Sequence, residues 1–282
     1  MKIITTIAEM QQYMLKLKAA GNTIGYVPTM GFLHEGHITL LNKARQENQV
    51  VVLSVFVNPL QFGPSEDLDA YPRDFERDRK IAEKEGADVV FFPSVSEMYP
   101  TAPSVMAAVK ERTNVLCGKS RPGHFDGVAT VLVKLFNIIQ PTRAYFGLKD
   151  AQQVAVVDGL IKDFNFPIEL VPVNTIREAD GLAKSSRNLY LGKEERLQAV
   201  ELYKSLRLAK DAIESGERNP GHIARLIEEH INEHCNAEVD YIEIYSYPEL
   251  KQLKELRGKI IIALAAKFSK ARLIDNIIFE VE

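Results

Sequence analysis

The chain has 282 residues, of which 46% are hydrophobic and 26% are charged, and its formal net charge is −3. This is the balance of a globular protein with a sizeable core, and its slight acidity excludes a global positive field for nucleic acid or anionic membrane. Cys117 and Cys235 are the two cysteines, and neither has a metal-binding spacing. That argues against a disulfide scaffold and a structural zinc site.

The sequence also lacks the signature of a targeting or membrane segment. Its start, MKIITTIAEMQQYM, has no long uninterrupted apolar run of the signal-peptide kind. No stretch approaches the roughly 18 apolar residues that span a bilayer. We therefore expect a reduced, cytoplasmic protein.

Short apolar runs alternate with helix-like stretches as far as about residue 176. Thr23–Pro28 and Val50–Val57 are β-branched and almost wholly apolar, as expected for strands covered on both faces. Alternation of strand and helix predicts βαβ units and a parallel sheet. The further predicted strands are Ala87–Ser94, Ala144–Leu148 and Ile168–Val173, and the predicted helices are Gly36–Gln49, Asp74–Gly86, Gly127–Pro141 and one from about Ala151.

The pattern changes after about Ile176. Apolar residues at steps of three or four from Leu197 to Ile213 predict an amphipathic helix that ends near Ser215. A second helix is predicted after Pro220. Three strand-like stretches end the chain, which predicts a smaller α+β domain over residues 177–282, beside an N-terminal domain over residues 1–176. The three stretches are Val239–Ser246, Gly258–Phe268 and Ala271–Val281.

The most specific motif lies in Pro28–Leu41, PTMGFLHEGHITLL, where a predicted strand leads into a predicted helix. A helix that starts here exposes unpaired backbone N–H groups and about half a positive charge, which makes an anion site. Gly36 removes a side chain where a nucleotide would approach. We predict that His34 and His37 face nucleotide phosphates. The alternative is that they occupy a turn and a solvated helix end.

The stretch Arg177–Asn188, READGLAKSSRN, is a second phosphate-binding candidate. Lys184, Ser185, Ser186 and Arg187 provide two positive charges and two hydroxyls, which suits a loop that closes over a triphosphate. The alternative is a polar interdomain loop that caps the following helix.

The stretch Phe146–Gln153, FGLKDAQQ, follows a predicted strand, at the sheet edge where open α/β folds bind ligands. Lys149 can neutralise phosphate, Asp150 can hold ribose hydroxyls, and Gln153 can bind a small polar substrate. The alternative is a carboxylate at a helix start with an exposed lysine beside it.

Further polar residues are expected near the same edge of the sheet. Asn58 and Gln61 follow the strand Val50–Val57, and Arg121 and His124 lie in a Pro-Gly turn before a predicted buried helix, where they make a second anion contact plausible. The loop after Gln61 carries acids of the type that bind magnesium, but acidic loops are usually solvated, and we assign no metal ligands. These acids are Asp67, Asp69 and Asp74.

Taken together, these motifs resemble the H-x-G-H nucleotidyltransferase superfamily and, closely, the pantothenate synthetase (pantoate–β-alanine ligase) family. The resemblance covers nearly the whole chain. It rests on PTMGFLHEGH, SVFVNPLQF, EDLDAYPRD, RPGHFDGVATVLVKLFNIIQP, FGLKDAQQ and READGLAKSSRN, in the family's order.

The resemblance implies a Rossmann-like N-terminal domain, a smaller C-terminal lid domain and a homodimer. It also implies a two-step reaction with ATP and Mg²⁺, in which pantoate is adenylated and β-alanine then displaces AMP. Lys184 departs from the family, which commonly has methionine there, and so adds a charge near the phosphates.

The resemblance also implies a set of site residues. Catalytic roles go to His34, His37, Lys149, Ser185, Ser186 and Arg187. ATP-binding roles go to these and to Pro28, Thr29, Met30, Gly36, Gly147, Asp150, Ile176 and Lys184. Pantoate and β-alanine would contact Met30, Asn58, Gln61, Arg121, His124, Phe146 and Gln153.

The chemistry of the motifs is consistent with this reaction, because adenylation of a carboxylate requires alignment and charge neutralisation rather than a covalent nucleophile. One alternative is a nucleotidyltransferase that joins ATP to a phosphorylated acceptor. Another is a nucleotide-binding regulatory protein without turnover. Net acidity and short length disfavour binding of nucleic acid in the manner of an aminoacyl-tRNA synthetase.

Overall fold

The computed structural model describes residues 1–63, 66 and 68–282. Contacts divide the chain into two compact units. The domain boundary predicted at residue 176 and the predicted roles of the two domains stay predictions. The N-terminal unit comprises Met1–Thr113, Gly118–Leu148 and Val156–Asn174, and the C-terminal unit comprises Asn114–Cys117, Lys149–Ala155 and Thr175–Glu282.

The elements follow the predicted alternation closely. The strands are β1 (Lys2–Ile4), β2 (Ile24–Thr29), β3 (Val50–Val55), β4 (Val89–Phe91), β5 (Arg143–Gly147), β6 (Glu169–Val173), β7 (Glu238–Ser246), β8 (Gly258–Lys267) and β9 (Arg272–Val281). The α-helices are α1 (Ile7–Ala19), α2 (Glu35–Glu47), α3 (Phe75–Lys84), α4 (Val95–Met98), α5 (Cys117–Ser120), α6 (His124–Ile139), α7 (Ala151–Asp163), α8 (Lys193–Gln198), α9 (Val200–Glu214) and α10 (Pro220–His234). Short 3₁₀ helices cover Pro59–Gln61, Leu148–Asp150 and Ser186–Tyr190.

The N-terminal unit is built on a parallel sheet, as predicted. Within the described residues, six strands pair in the order β1-β4-β3-β2-β5-β6. The chain moves outward from β2 through β3 on one side and resumes at β5 on the other. The strand order therefore reverses between β2 and β5. Ligands of open α/β sheets bind beyond the carboxyl ends of the strands at such a switch point, here next to Thr29 and Gly147.

The sheet is held by an apolar core on the face covered by α2. This helix packs on β2, β3 and β5, and its Leu40, Leu41 and Ala44 are buried against Val27 and Leu53. All six residues of β3 are buried, which explains why the sequence of β3 shows no polar alternation. The strand ends that carry the site are thus fixed by a rigid layer.

The C-terminal unit contains an antiparallel sheet. Among the described residues it has three strands in the order β7-β8-β9, and α9 and α10 bury Leu206, Ile213 and Ile227 in the same core as β8. The predicted apolar stripe is wrong at Leu197, which is 74% exposed. The helix is interrupted after Gln198, and Leu197 belongs to the separate short helix α8.

In the described ranges, no helix combines the length and the apolar character needed to cross a membrane.

Candidate active site

A tight turn links β2 to α2 at the switch point of the sheet. Thr29 lies at the end of β2, where its hydroxyl donates to the Ser54 carbonyl at 2.7 Å and accepts the Gly31 N–H at 3.2 Å. Gly31 and Phe32 both have positive φ, 88° and 52°. A Cβ at Gly31 would lie 2.9 Å from a carboxylate oxygen of Asp78. Glycine is therefore required at residue 31, on account of both its backbone angle and this close approach.

Asp78 of α3 clamps this turn. Its carboxylate is 1% exposed and accepts the N–H groups of Phe32 and Leu33, each at 2.7 Å. Arg77 adds a hydrogen bond of 2.8 Å to the Leu33 carbonyl and lies over the Phe32 ring. Burial raises the pKa of Asp78, although the two backbone hydrogen bonds act to lower it. The backbone before the two histidines is thus held by a buried charge.

His34 and His37 form a reciprocal cap at the start of α2. His34 is the N-cap residue, and its Nδ1 accepts the Gly36 N–H at 3.1 Å. The Nδ1 atom of His37 accepts the His34 N–H at 3.2 Å, in the geometry of a capping box. Because Nδ1 is the acceptor in both rings, the neutral imidazoles carry their hydrogen on Nε2. The predicted strand-to-helix junction is confirmed, and the cap fixes the tautomer of each histidine.

The structure gives a steric reason for glycine at position 36 that the sequence did not reveal. A Cβ at this position would lie 2.9 Å from Cε1 and 3.0 Å from Nδ1 of His34. Real Cβ atoms are rarely so close to other atoms, so any larger residue would push the His34 ring off its cap. The two rings are 4.2 Å apart between centroids. The middle glycine of H-x-G-H therefore allows the two imidazoles to pack together.

Two of the amides predicted on the substrate side, those of Asn58 and Gln61, meet at this edge of the sheet. Asn58 is 1% exposed and Gln61 is 9% exposed. Gln61 Nε2 donates to the Met30 sulfur at 3.1 Å, and Asn58 Nδ2 donates to Gln61 Oε1 at 3.3 Å. Tyr99, which sequence reasoning missed, donates to Asn58 Oδ1 at 3.0 Å. The structure thus brings Met30, Asn58 and Gln61 together, as their positions after β2 and β3 indicated.

Arg121 and His124 lie next to this amide cluster. Arg121 binds both oxygens of Glu66, with Nε at 2.6 Å and Nη2 at 2.7 Å, and its Nη1 is 3.1 Å from His124 Nε2. His124 Nδ1 is 2.7 Å from the Gln61 carbonyl. Arg121 holds the pKa of Glu66 below its usual range. His124 is the first residue of α6 rather than part of the preceding turn.

The other predicted residues of the N-terminal unit lie at the ends of β2 and β5. Pro28 and Thr29 end β2, and Gly147 ends β5. Phe146 is 5% exposed. A Cβ at Gly147 would meet no atom within 4 Å, so the backbone at this position is open to a ligand.

Of the acids considered for magnesium, Asp74 accepts the Arg77 N–H at 3.0 Å as the N-cap of α3, and Asp67 lies outside the described residues.

The C-terminal unit carries the remaining predicted residues in two segments. Lys149, Asp150 and Gln153 lie in Lys149–Ala155, where a 3₁₀ turn leads into α7. The second segment is Thr175–Arg187. Within it, Ser185 is the N-cap of the helix Ser186–Tyr190, and its hydroxyl accepts the Arg187 N–H at 3.3 Å. Ser185 therefore caps a short 3₁₀ helix that lies at the end of this loop. The phosphate roles of both segments stay predictions.

The loop before Lys184 is closed on itself. The Lys184 N–H donates to the Ile176 carbonyl at 2.9 Å, and Arg177 pairs with Ala183 in an isolated antiparallel bridge. Arg196 of α8 binds Glu178 at 2.7 Å and Asp180 at 2.8 Å. Ile176 and Lys184, both predicted at the nucleotide, are thus neighbours in the structure.

Comparison with known proteins shows the family of this chain. The model of the family described as pantoate-beta-alanine ligase matches residues 2–278. The chain belongs to this family. As a member it is an enzyme, a ligase that joins pantoate to β-alanine. It is 65% identical over 281 residues to the pantothenate synthetase of Geobacillus sp. (strain WCH70), with 100% of each chain covered.

Solved structures agree with the fold and cover both chains almost completely. The pantothenate synthetase of Thermus thermophilus superimposes with a TM-score of 0.90 at 44% identity, covering 98% of this chain and 99% of that one. The pantoate–β-alanine ligase of Francisella tularensis, solved with β-γ ATP and β-alanine, has a TM-score of 0.80 at 36% identity, with 98% and 97% covered. The predicted fold class and family are therefore confirmed.

Proposed function

We propose that this ligase works in two steps through a pantoyl adenylate. A carboxylate oxygen of pantoate attacks the α-phosphorus of ATP, and pyrophosphate leaves. The amine of β-alanine then attacks the activated carbonyl, loses a proton, and AMP leaves as pantothenate forms. The binding of β-γ ATP and β-alanine by the Francisella tularensis relative supports ATP and β-alanine as substrates here.

The observation that carries the adenylation step is the histidine cap at the switch point of the sheet. Both rings use Nδ1 to accept backbone N–H groups, which makes Nε2–H the donor that each can offer. These donors stand at the start of α2, where the helix dipole favours negative charge. Preorganised donors of this kind stabilise charge that develops on phosphate in the transition state.

The remaining site residues have proposed roles toward one of the two substrates, ATP or pantoate. Lys149, Ser185, Ser186 and Arg187 would stabilise the charge of the triphosphate, and Asp150 with the open backbone at Gly147 would hold the ribose. On the other substrate, the amides of Gln61 and Gln153 would bind the polar groups of pantoate, beside Met30 and Phe146. Closure of the lid domain that the family resemblance implies would exclude the water that hydrolyses the adenylate.

Mg²⁺ is part of the proposal as a companion of ATP. In the ranges that the structure describes, no group of three or more His, Cys, Asp or Glu side chains is arranged to hold a metal. Mg²⁺ that accompanies a nucleotide is often held mainly by phosphate oxygens and water. When bound, the ion neutralises part of the phosphate charge.

We also propose a homodimer in the cytoplasm, as the family resemblance and the composition imply; sedimentation velocity tests the dimer.

The experiment that tests the proposal is pyrophosphate–ATP isotope exchange with Mg²⁺ and pantoate but without β-alanine. We expect exchange that requires pantoate, because only the adenylate step returns label to ATP. Addition of β-alanine should then release AMP and form pantothenate. Omission of pantoate is the control. Exchange that is absent although ATP binds would contradict the adenylate and favour transfer to a phosphorylated acceptor.

A further inference from the structure

We propose that Asp275 and Asn276 of β9 are positioning residues that hold the two phosphate-binding segments of the C-terminal unit in one geometry. The segments are Lys149–Ala155 and Thr175–Arg187. The inference rests on the proposed function, because that function assigns Lys149 and Arg187 to the triphosphate. Neither Asp275 nor Asn276 is a catalytic residue here, since each acts on backbone or on another side chain.

Asn276 fixes the first segment. Its side chain is 7% exposed, and Nδ2 donates to the carbonyl of Lys149 at 3.1 Å. The hydrogen bond reaches the backbone of the residue that would neutralise phosphate. Tyr247 adds a second hydrogen bond, from its hydroxyl to the Ala151 carbonyl at 3.3 Å. The start of this segment is therefore attached to β9 and to the residue that directly follows β7.

Asp275 fixes the second segment through Arg177. The carboxylate is 4% exposed and binds both terminal nitrogens of the guanidinium, at 2.7 Å and 2.8 Å. Arg177 also donates to the Gly181 carbonyl at 3.1 Å and lies 3.5 Å from the centre of the Tyr203 ring. A planar guanidinium held on three sides has little freedom.

Arg177 passes this constraint on to the Lys184–Arg187 run. It pairs with Ala183 across the loop, and the neighbouring Ile176 carbonyl accepts the Lys184 N–H at 2.9 Å. The base of the loop is thus closed one residue before the lysine and hydroxyls begin. A shift of Arg177 would move the whole run.

The two constraints share one rigid support. Asp275 and Asn276 are consecutive, and they pair with Leu264 and Ala263 in the middle of the sheet. The Asn276 N–H donates to the Asp275 carboxylate at 2.7 Å, and Arg177 reaches the Asn276 carbonyl at 3.4 Å. Because one dipeptide anchors both segments, the distance between Lys149 and the loop is set by β9 rather than by either segment alone.

A double-mutant cycle in pyrophosphate exchange tests the first arm. We expect Asn276→Ala to lower kcat/KM for ATP by about ten- to a hundredfold, the scale of a small misplacement in a catalytic site. In a Lys149→Ala background the same change should have less than about a twofold effect, because residues that act as a unit are non-additive. Thermal unfolding of each variant is followed in parallel.

Asp275→Asn tests the second arm, and Asp240→Asn is the matched control. Asp240 also binds an arginine of β9, Arg272, at 2.7 Å, but it holds neither segment. We expect Asp275→Asn to lower exchange much more than Asp240→Asn, and thermal unfolding of both variants is followed beside it. The Asp275→Asn loss should shrink in an Arg187→Ala background.

The outcomes separate this inference from the proposed function. An Asn276→Ala effect of equal size in both backgrounds, or no effect at all, would overturn the positioning role. Equal losses of exchange for Asp275→Asn and Asp240→Asn would show that Asp275 contributes only to the stability of the fold. If Lys149→Ala and Arg187→Ala themselves left exchange unchanged, the phosphate assignment of the proposed function would fail instead.

Discussion

The two ring nitrogens of His37 have different tasks, and two substitutions can separate them. Asparagine places its Oδ1 where Nδ1 stands, and glutamine places its amide nitrogen near the position of Nε2. The first keeps the acceptor for the His34 N–H, which the structure shows at 3.2 Å. The second keeps the donor that we assign to phosphate. The same substitutions apply to His34, whose Nδ1 caps the Gly36 N–H.

We expect His37→Asn to fold with nearly unchanged stability but to slow adenylation by about a hundred- to a thousandfold, the usual cost of one lost transition-state donor. Pyrophosphate exchange and urea unfolding measure the two effects. In contrast, His37→Gln keeps a donor near the position of Nε2, and glutamine is itself a usual capping residue at this position of a helix, so it should keep both the stability and more of the exchange rate. A normal rate in His37→Asn would refute the phosphate role of Nε2.

Lys184 is the residue at which this chain departs from the family's common methionine. Its backbone N–H donates to the Ile176 carbonyl, and this hydrogen bond is available to any residue other than proline at this position. We expect Lys184→Met to change mainly the apparent constant for ATP, and only modestly. Steady-state kinetics at saturating pantoate measure this. Complete loss of activity would reveal a catalytic role that the family pattern does not suggest.

At the scale of an element, the turn between β2 and α2 stores strain that α3 compensates. Phe32 has φ of 52°, a conformation that costs an L-residue about 1–2 kcal/mol. Asp78 accepts the N–H of this residue and of the next, which satisfies two backbone donors of the turn that would be costly to leave unpaired. The strained turn therefore persists because a separate helix supports it.

The pKa of Asp78 gives the turn a pH signature. Burial raises this pKa in the folded state, so the folded protein binds more protons than the unfolded chain above the ordinary aspartate value of about 3.9. Stability from this group is therefore present at low pH and is lost as pH rises through the folded pKa. Asp78→Asn cannot titrate, and its stability relative to wild type should rise over the same range.

Urea unfolding of wild type and Asp78→Asn at a series of pH values upward from about 4 checks this prediction. Glu83→Gln is the control, because Glu83 lies on the same helix at an exposed position. A wild type that gained stability relative to Asp78→Asn as pH rose would show that the backbone hydrogen bonds outweigh burial.

At the scale of the molecule, the sequence predicted what depends on local pattern. The parallel sheet follows from apolar runs such as Val50–Val55, and the site edge follows from parallel topology, which brings the ends of neighbouring strands together. It could not predict that Leu197 leaves the apolar face, because periodicity does not show where one helix stops and another begins. Its predicted roles for site residues stay untested.

The supporting residues escaped prediction because their partners are distant in the chain. Asp78 sits in a charged stretch, DFERDRK, where nothing distinguishes it from solvated acids, yet it binds residues 32 and 33. Asp275 and Asn276 did leave a signal. They are two polar residues within the otherwise apolar strand stretch LIDNIIF, and a buried polar group requires a partner. The signal indicates burial but not the partner.

Binding of ATP should be visible in the stability of the whole molecule, since a ligand that binds only the folded state stabilises it by mass action. At a hundred times its dissociation constant the gain is about 2.7 kcal/mol, which raises Tm by about 5–10 °C in a protein of this size. Adenosine at the same concentration is the comparison, because it lacks the phosphates that the histidine cap and the lysines would bind. We expect a clearly smaller shift with adenosine, and His37→Asn should reduce the ATP shift while leaving the adenosine shift unchanged. Equal shifts for ATP and adenosine in wild type, measured by differential scanning calorimetry, would mean that the phosphates contribute nothing and that the helix start is not the phosphate site.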